Sequence, residues 1–505
     1  MAIITPTGAK SWPNRHKTFR QKIDNLFDVA NQNTGNGVND YNATTAAIQQ
    51  FIKTAAAQNK SIHALGGGWS FTRVAATTGW MVNTKLLNGK FPIRDASIHT
   101  GYKGARDQLL FVQCGNSIQE LNRHLRDNKK SLKTCGASNG QTIVGAFATG
   151  THGSAIDFGC TPDFVVGMHI IVSADRHIWL ERKNYPVASD TLIQRLNATP
   201  VRSDELFDAA LVSFGSFGFI HGVMIETEPI YLLECYRQRL KYTDMLQHQM
   251  NTLDFTGATN LPHGSERPFH FQVVVNQFDM DGGTYSTIMY KRPYRDNYSP
   301  PAVDDPGKAG PGDDVPAFLG KVTDVLTVVT PLIVNKLVKQ SYTLYNNVEG
   351  TCGEIFRNND IRGKVISTAM GIPVAFATQL NDMLIKLNKT KGPFTGVFSY
   401  RYSKKTSAML GFTKYDDTLI LELDGVESDI TRRFFEVVWK EMDRANIPYT
   451  FHWGKINNLD RDKVKKMYGN ERDRWIKARN EILPPQSMPM FSNQTLKDWG
   501  LDEIL

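Results

Sequence analysis

The chain is poor in cysteine, with five (Cys114, Cys135, Cys160, Cys235 and Cys352) in 505 residues. The number is odd, and no pair has CxxC or metal-site spacing. That argues against a disulfide framework or a thiolate metal centre, and free thiols in a reducing, cytoplasmic setting are expected. No stretch reaches the roughly 18 apolar residues that a membrane span needs. The N-terminal MAIITPTGAKSWPNRHKTFRQ lacks the apolar core of a secretory signal. Lys and Arg outnumber Asp and Glu, 58 to 50, for a net charge of +8, but they are spread along the chain. Such a distribution favours anionic ligands and disfavours nucleic acid as a partner. No internal repeat is present.

What is present reads as ordinary globular protein, 41% apolar and 21% charged. The length suggests roughly two or three domains. Residues 20–60 carry helix formers at apolar spacing, and SIHAL (61–65) reads as a strand entering a glycine run. Ser117 with Glu120 three residues on forms a capping box for a helix over 117–130. FVVGMHIIVSADRHIWLE (164–181) reads as strand, turn, strand with the bend at Ala174-Asp175. From about residue 235 the texture changes. HFQVVVNQF, GTYSTIMYKR, GVFSYRYS and DTLILELDG suit one antiparallel sheet, interrupted by helical patches in VISTAMGIPVAFATQLNDMLIKLN and TRRFFEVVWKEMDRANI. The Pro-, Gly- and Asp-rich 298–317 reads as a flexible surface insertion.

Two glycine-rich stretches carry the chemistry. ALGGGWSF (64–71) lacks the GxGxxG spacing of a Rossmann loop. Alone it is equally a tight turn. GQTIVGAFATGTHGS (140–154) sets Gly140, Gly145, Gly150 and Gly153 among small residues, which let backbone N–H groups approach a diphosphate and a flat ring. Two such loops around a strand–helix unit suggest one extended dinucleotide between them.

These stretches, with GSFGFIHGVMIETEP (215–229) and FHWGK (451–455), resemble the FAD-dependent oxidases of the vanillyl-alcohol-oxidase type. Within them the sugar-lactone and alditol oxidase branch is most similar. The resemblance implies an α+β protein. A PCMH-type FAD-binding domain over 1–230 would be completed by a C-terminal segment, 460–505, around an antiparallel-sheet substrate or cap domain with flanking helices, 231–459. It implies FAD contacts from Gly66, Gly67, Gly68, Trp69, Ser70 and Phe71. A second set would be Gly136, Ser138, Thr142, Val144, Gly145, Ala148, Gly150, Thr151, His152, Gly153 and Ser154, and a third Gly218, Ile220, Val223 and Lys455. Many relatives have a covalently linked histidine where this chain has Trp69, so FAD is expected to be non-covalent. Trp69 is either packed on the ring system or plain core.

The implied reaction removes hydride from a carbinol carbon to the flavin. The hydroxyl proton must leave as well, and a cation should stabilise the reduced cofactor. Lys455 and His452 of FHWGK and Arg401 of GVFSYRYS match the family's site. Ser399 stands where the branch has glutamate. Glu422 and Asp424 share one face of a period-2 strand, with Leu421 and Leu423 on the other, so Glu422 either replaces that acid or faces solvent. His152 is expected to hydrogen-bond within its loop. The substrate would be a polyol, sugar lactone or bulkier alcohol, with O2 as acceptor giving H2O2. The alternatives are a dehydrogenase feeding a quinone or cytochrome, and a non-catalytic flavoprotein. FLGKVTDVLTVVTPLIVNKLVKQS (318–341) has apolar residues at helical spacing, suiting a packed cap helix, a subunit interface in a homo-oligomer, a lid, or a peripheral membrane contact.

Overall fold

The computed structural model describes residues 3–279, 281–302, 309–313, 315, 319, 335–336, 338–340, 342–358 and 363–505. The helical segment expected at 318–341 lies almost wholly outside them.

Three sheets of four or more strands and two two-stranded ribbons make up the described β-structure. A four-stranded sheet runs in the order Ile3–Pro6, Asn25–Ala30, Trp80–Asn83, Ile62–Leu65. A six-stranded sheet runs Thr199–Arg202, His177–Glu181, Val165–Ile171, Phe219–Glu226, Leu109–Gln113, Lys90–Pro92. A continuous apolar core that includes Val29, Ile48, Val82, Val112, Phe147 and Val223 unites them. The third sheet has eight antiparallel strands, in the order Tyr345–Thr351, Tyr231–Leu240, Thr284–Pro293, His270–Val275, Gly396–Lys404, Asp417–Val426, Val365–Pro373, Thr450–Phe451. Its first strand begins at Tyr231, close to the change of texture in the sequence.

The alternation in DTLILELDG sets the two faces of this large sheet. Leu419, Leu421 and Leu423 join a core formed with the helices Asp244–Thr252, Ala377–Lys391 and Asp429–Arg444. Glu422 and Asp424 take the opposite face, yet they are 2% and 0% exposed. The strand lies between two neighbours, so the solvent-facing alternative does not hold.

Local signals explain most of the helices. Ser117 accepts from the Glu120 N–H while Glu120 accepts from the Ser117 N–H, the expected capping box. Ser428 Oγ accepts the Thr431 N–H at 3.2 Å and so caps the N-terminus of Asp429–Arg444.

Three expectations need correction. Residues 20–30 are not helical but form strands Arg20–Lys22 and Asn25–Ala30, and the helix Gly37–Ala57 starts only after the turn-forming NQNTGN. NLFDVA is drawn into a strand because both its edges are paired, by Ile3–Pro6 and Trp80–Asn83. VISTAMGIP is also strand, with the helix beginning at Ala377. Within 298–317, residues 309–313 are buried, not surface. The buried Arg237 guanidinium donates to the carbonyls of Ala309, Gly310, Pro311 and Thr343, so a cation with no carboxylate partner among the described residues is satisfied by backbone oxygens. No helix among the described residues is long and apolar enough to cross a membrane.

Leu421→Ala should cost about 2–5 kcal/mol in urea unfolding, as a cavity in a close-packed core does. A loss below about 1 kcal/mol would show that this face is not tightly packed.

Candidate active site and cofactor cavity

The FHWGK turn is fastened directly to the glycine loop. The Phe71 N–H donates to the Gly454 carbonyl at 2.7 Å, and Thr72 Oγ1 donates to the Trp453 carbonyl at 2.8 Å. Between these segments and the 138–151 loop lies an open cleft. Gly66, Gly67, Gly68, Trp69, Ser70 and Phe71 line it. So do Ser138, Thr142, Val144, Gly145, Ala148 and Thr151, then Gly218 and Ile220, and finally His452 and Lys455.

The remaining expected cofactor residues sit outside this lining. Val223 is in the core. Ser154 Oγ donates to the Cys135 carbonyl at 2.9 Å, and a Cβ on Gly153 would lie 2.0 Å from Thr134 Oγ1. Gly136 lets the backbone pass near the His152 carbonyl, and Gly150 takes a left-handed φ of 68°. These residues shape the loop from behind.

The glycines are required where the two loops touch. A Cβ on Gly66 would fall 2.2 Å from Thr142 Oγ1, and one on Gly67 would fall 2.6 Å from the Gly140 carbonyl. Trp69 lies across Gly140, whose Cβ would be 2.5 Å from its ring. Arg15 lies 5.0 Å from the centroid of that ring. Trp69 Nε1 is buried without a hydrogen-bond partner among the described residues. A lining of small residues and backbone with an orphaned donor fits a flat, hydrogen-bonding dinucleotide.

Sequence reasoning missed part of the wall. Trp12 and His16 come from the polar N-terminal stretch, and His16 stacks on Phe71 with ring centroids 4.0 Å apart. His63, on the strand Ile62–Leu65 that enters the first glycine loop, also lines the cleft. Burial holds its imidazole down to about 4. Phe214 and Gly215 complete the wall from a turn with left-handed φ values of 54° and 73°. The C-terminal helix Asn470–Ile482 grips this turn. Trp475 Nε1 donates to the Val212 carbonyl at 3.0 Å, and the buried Arg479 donates to the Ser216 carbonyl at 3.1 Å.

Behind Lys455 lies a charged cluster on the polar face of the eight-stranded sheet. Glu422 is 3.2 Å from Arg401, 3.6 Å from Lys455 and 3.7 Å from His152. Burial pushes its carboxyl upward, but the Arg401 guanidinium, a hydrogen bond from His152 and the Lys455 ammonium outweigh this and hold it well below the usual carboxylate range. Lys455 Nζ also donates to Ser367 Oγ at 3.0 Å. The Gln272 carbonyl accepts from Arg401 at 3.0 and 3.2 Å and from Ser399 Oγ at 3.0 Å. His152 Nδ1 donates to the Gly153 carbonyl at 2.9 Å, within its loop as expected, and turns Nε2 to Glu422. His452 Nδ1 accepts the Gly454 N–H at 3.0 Å. Burial and the Lys455 charge keep this imidazole well below its ordinary value, hence neutral. Of the four expected catalytic residues, Lys455 and His452 reach the cleft, while Arg401 and Glu422 stand behind them.

A family model described as an FAD binding domain matches residues 41–180. Over that segment the chain is similar to FAD-binding proteins. FAD is its cofactor, and the resemblance read from the glycine loops is borne out. Curated relatives include a D-arabinono-1,4-lactone oxidase of Debaryomyces hansenii, 27% identical over 41% of this chain and 34% of the relative. An L-gulono-1,4-lactone dehydrogenase of Mycobacterium tuberculosis is 26% identical over 40% of each chain. The flavoprotein thus spans about a third of the length of the lactone oxidases it matches. Among solved structures, a cholesterol oxidase from B. sterolicum superposes with a TM-score of 0.68 at 14% identity, covering 99% of this chain and 97% of that one. A xylooligosaccharide oxidase of Myceliophthora thermophila gives 0.61 at 13% identity, covering 97% and 96%. These two show that the flavoprotein's fold extends over nearly the whole chain, antiparallel cap sheet included.

The folded value of His63, about 4, lies below the unfolded value of about 6.5. Its contribution to stability is therefore present above pH 6.5 and lost as pH falls towards 4. At about 1.4 kcal/mol per pH unit the loss is roughly 3 kcal/mol. His63→Gln should flatten the acid limb of stability against pH by that order in denaturant titrations, and an unchanged acid limb would place this imidazole in a wetter setting.

Proposed function

We propose that the protein is an FAD-dependent oxidoreductase that oxidises a CH–OH group to a carbonyl, with O2 as acceptor and H2O2 as product. Residues 1–230 and 460–505 would form the FAD-binding half and residues 231–459 the substrate half. The supporting observation is Lys455, which reaches the cofactor cleft and is anchored there by Ser367 and Glu422. The names of the relatives favour a sugar lactone or related polyol as the substrate class. The dehydrogenase among them keeps a second acceptor, a quinone or cytochrome, as the alternative.

Bound FAD supplies the hydride acceptor. The chain's residues do the rest. Lys455 brings a positive charge to the cleft, where it hydrogen-bonds the substrate oxygen and offsets the negative charge that reduction leaves. The hydroxyl proton leaves to water at the open mouth of the cleft as the hydride departs, and Lys455 stays charged against Glu422. The carbinol thus loses a proton and a hydride, and no charge is stranded. Arg401 keeps Glu422 ionised, so that Glu422 anchors the Lys455 ammonium, and Gln272 fixes the Arg401 plane. Neutral His452, its proton on Nε2, donates to the substrate from the adjacent wall. With Trp69 in the glycine loop, FAD is held without a covalent bond.

Lys455→Met and Arg401→Ala should each slow reduction of bound FAD by an added lactone or polyol at least about 100-fold, the order expected for a lost electrostatic group. The yellow absorbance of the protein should persist in both. Stopped-flow bleaching at wild-type rates in both variants would refute the assignment. Acid precipitation should leave the flavin in the supernatant, and colour in the pellet would reveal a covalent anchor.

A further inference from the structure

Away from the cofactor cleft, two thiols from distant parts of the chain meet. Cys135 Sγ lies 3.1 Å from Cys352 Sγ across 217 residues of sequence, closer than ordinary sulfur–sulfur contact. Nothing can stand between them. Cys135 sits just before Gly136, and its carbonyl is held by Ser154 Oγ. Cys352 opens the short helix Cys352–Ile355, where Glu354 accepts from the Thr351 N–H and hydroxyl. The two segments are docked on both sides of the pair. The Asn139 N–H donates to the Asn358 carbonyl at 2.7 Å, and a Cβ on Gly353 would lie 2.6 Å from Asn122 Cβ. Both cysteines are buried, at 3% and 1% exposure. Ser138, three residues beyond Cys135, lines the cofactor cleft.

We propose that Cys135 and Cys352 form an oxidative cross-linking site, at which a small peroxide converts the two thiols to a disulfide. The cross-link joins the loop that leads into the cofactor wall to the end of the edge strand Tyr345–Thr351. One sulfur, as thiolate, attacks the O–O bond of the peroxide, giving a sulfenic acid and releasing water or an alcohol. The second thiol attacks that sulfur, the S–S bond forms, and the hydroxyl leaves as water. Two thiols lose two electrons in all, and the peroxide gains them. The sulfurs need to close by only about 1 Å to reach the ~2.05 Å of a disulfide. Burial pushes the Cys135 thiol well up, which makes the reaction slow and confines it to small oxidants. The site is therefore silent to bulky thiol reagents in the folded protein.

The test uses the FAD-loaded full chain and added hydrogen peroxide, so it does not depend on any turnover. After peroxide, the protein is alkylated under denaturing, non-reducing conditions, digested and mapped by mass spectrometry. The free thiol count should fall from the five of the sequence to three, with one Cys135–Cys352 peptide that dithiothreitol reverses. Cys352→Ser, and separately Cys135→Ala, should abolish that peptide while the flavin absorbance reports an intact fold. Five thiols remaining, sulfinic acid on one cysteine without a cross-link, or a bridge between other cysteines would overturn the proposal.

Discussion

Glu422 holds its charge where almost no water reaches it, and the site is organised around keeping it there. Burying a carboxylate costs several kcal/mol, and only close positive partners offset that. Its partners come from three separate parts of the chain. Arg401 stands on the neighbouring strand, Lys455 on the FHWGK turn, and His152 on the second glycine loop. One side chain thus fixes the relative placement of the large sheet, the C-terminal turn and the cofactor loop. Each pair is modest alone. Together they leave no low-energy way for the three segments to part, because separation strands a charge in a dry place.

The same logic of distant segments meeting governs the cofactor wall. The glycine loop is tied to FHWGK by two hydrogen bonds, and the Val212–Ser216 turn is tied to the C-terminal helix by Trp475 and Arg479. Each such bond contributes about 0.5–1.5 kcal/mol net. Their value lies in direction. They hold left-handed backbone at Phe214 and Gly215, which would otherwise relax, against His63.

Much of this was legible in the residues because its cause is local. A capping box needs only four residues, and it appeared where Ser117 and Glu120 put it. The alternation in DTLILELDG placed Glu422 and Asp424 together, and the small residues of the two glycine loops announced a close backbone approach. What was not legible depends on contacts far apart in sequence. NLFDVA carries no strong strand signal, and its pairing with two other strands decides it. Nothing near His16 or Trp12 hints that they turn into the cleft. The burial of 309–313 is set by Arg237, some seventy residues earlier. His152 obeyed its local expectation and then gained a second partner that only the fold supplies.

The interleaving of the chain also has a consequence in time. The cofactor cleft is lined at one end by residues near the N-terminus and closed by side chains from 452 onward, with the turn at 212–218 braced by a helix after residue 470. A growing polypeptide therefore has no finished cleft until almost all of it has been made. A ligand that touches every wall of this cleft can be fully enclosed only after the helix beyond residue 470 has docked.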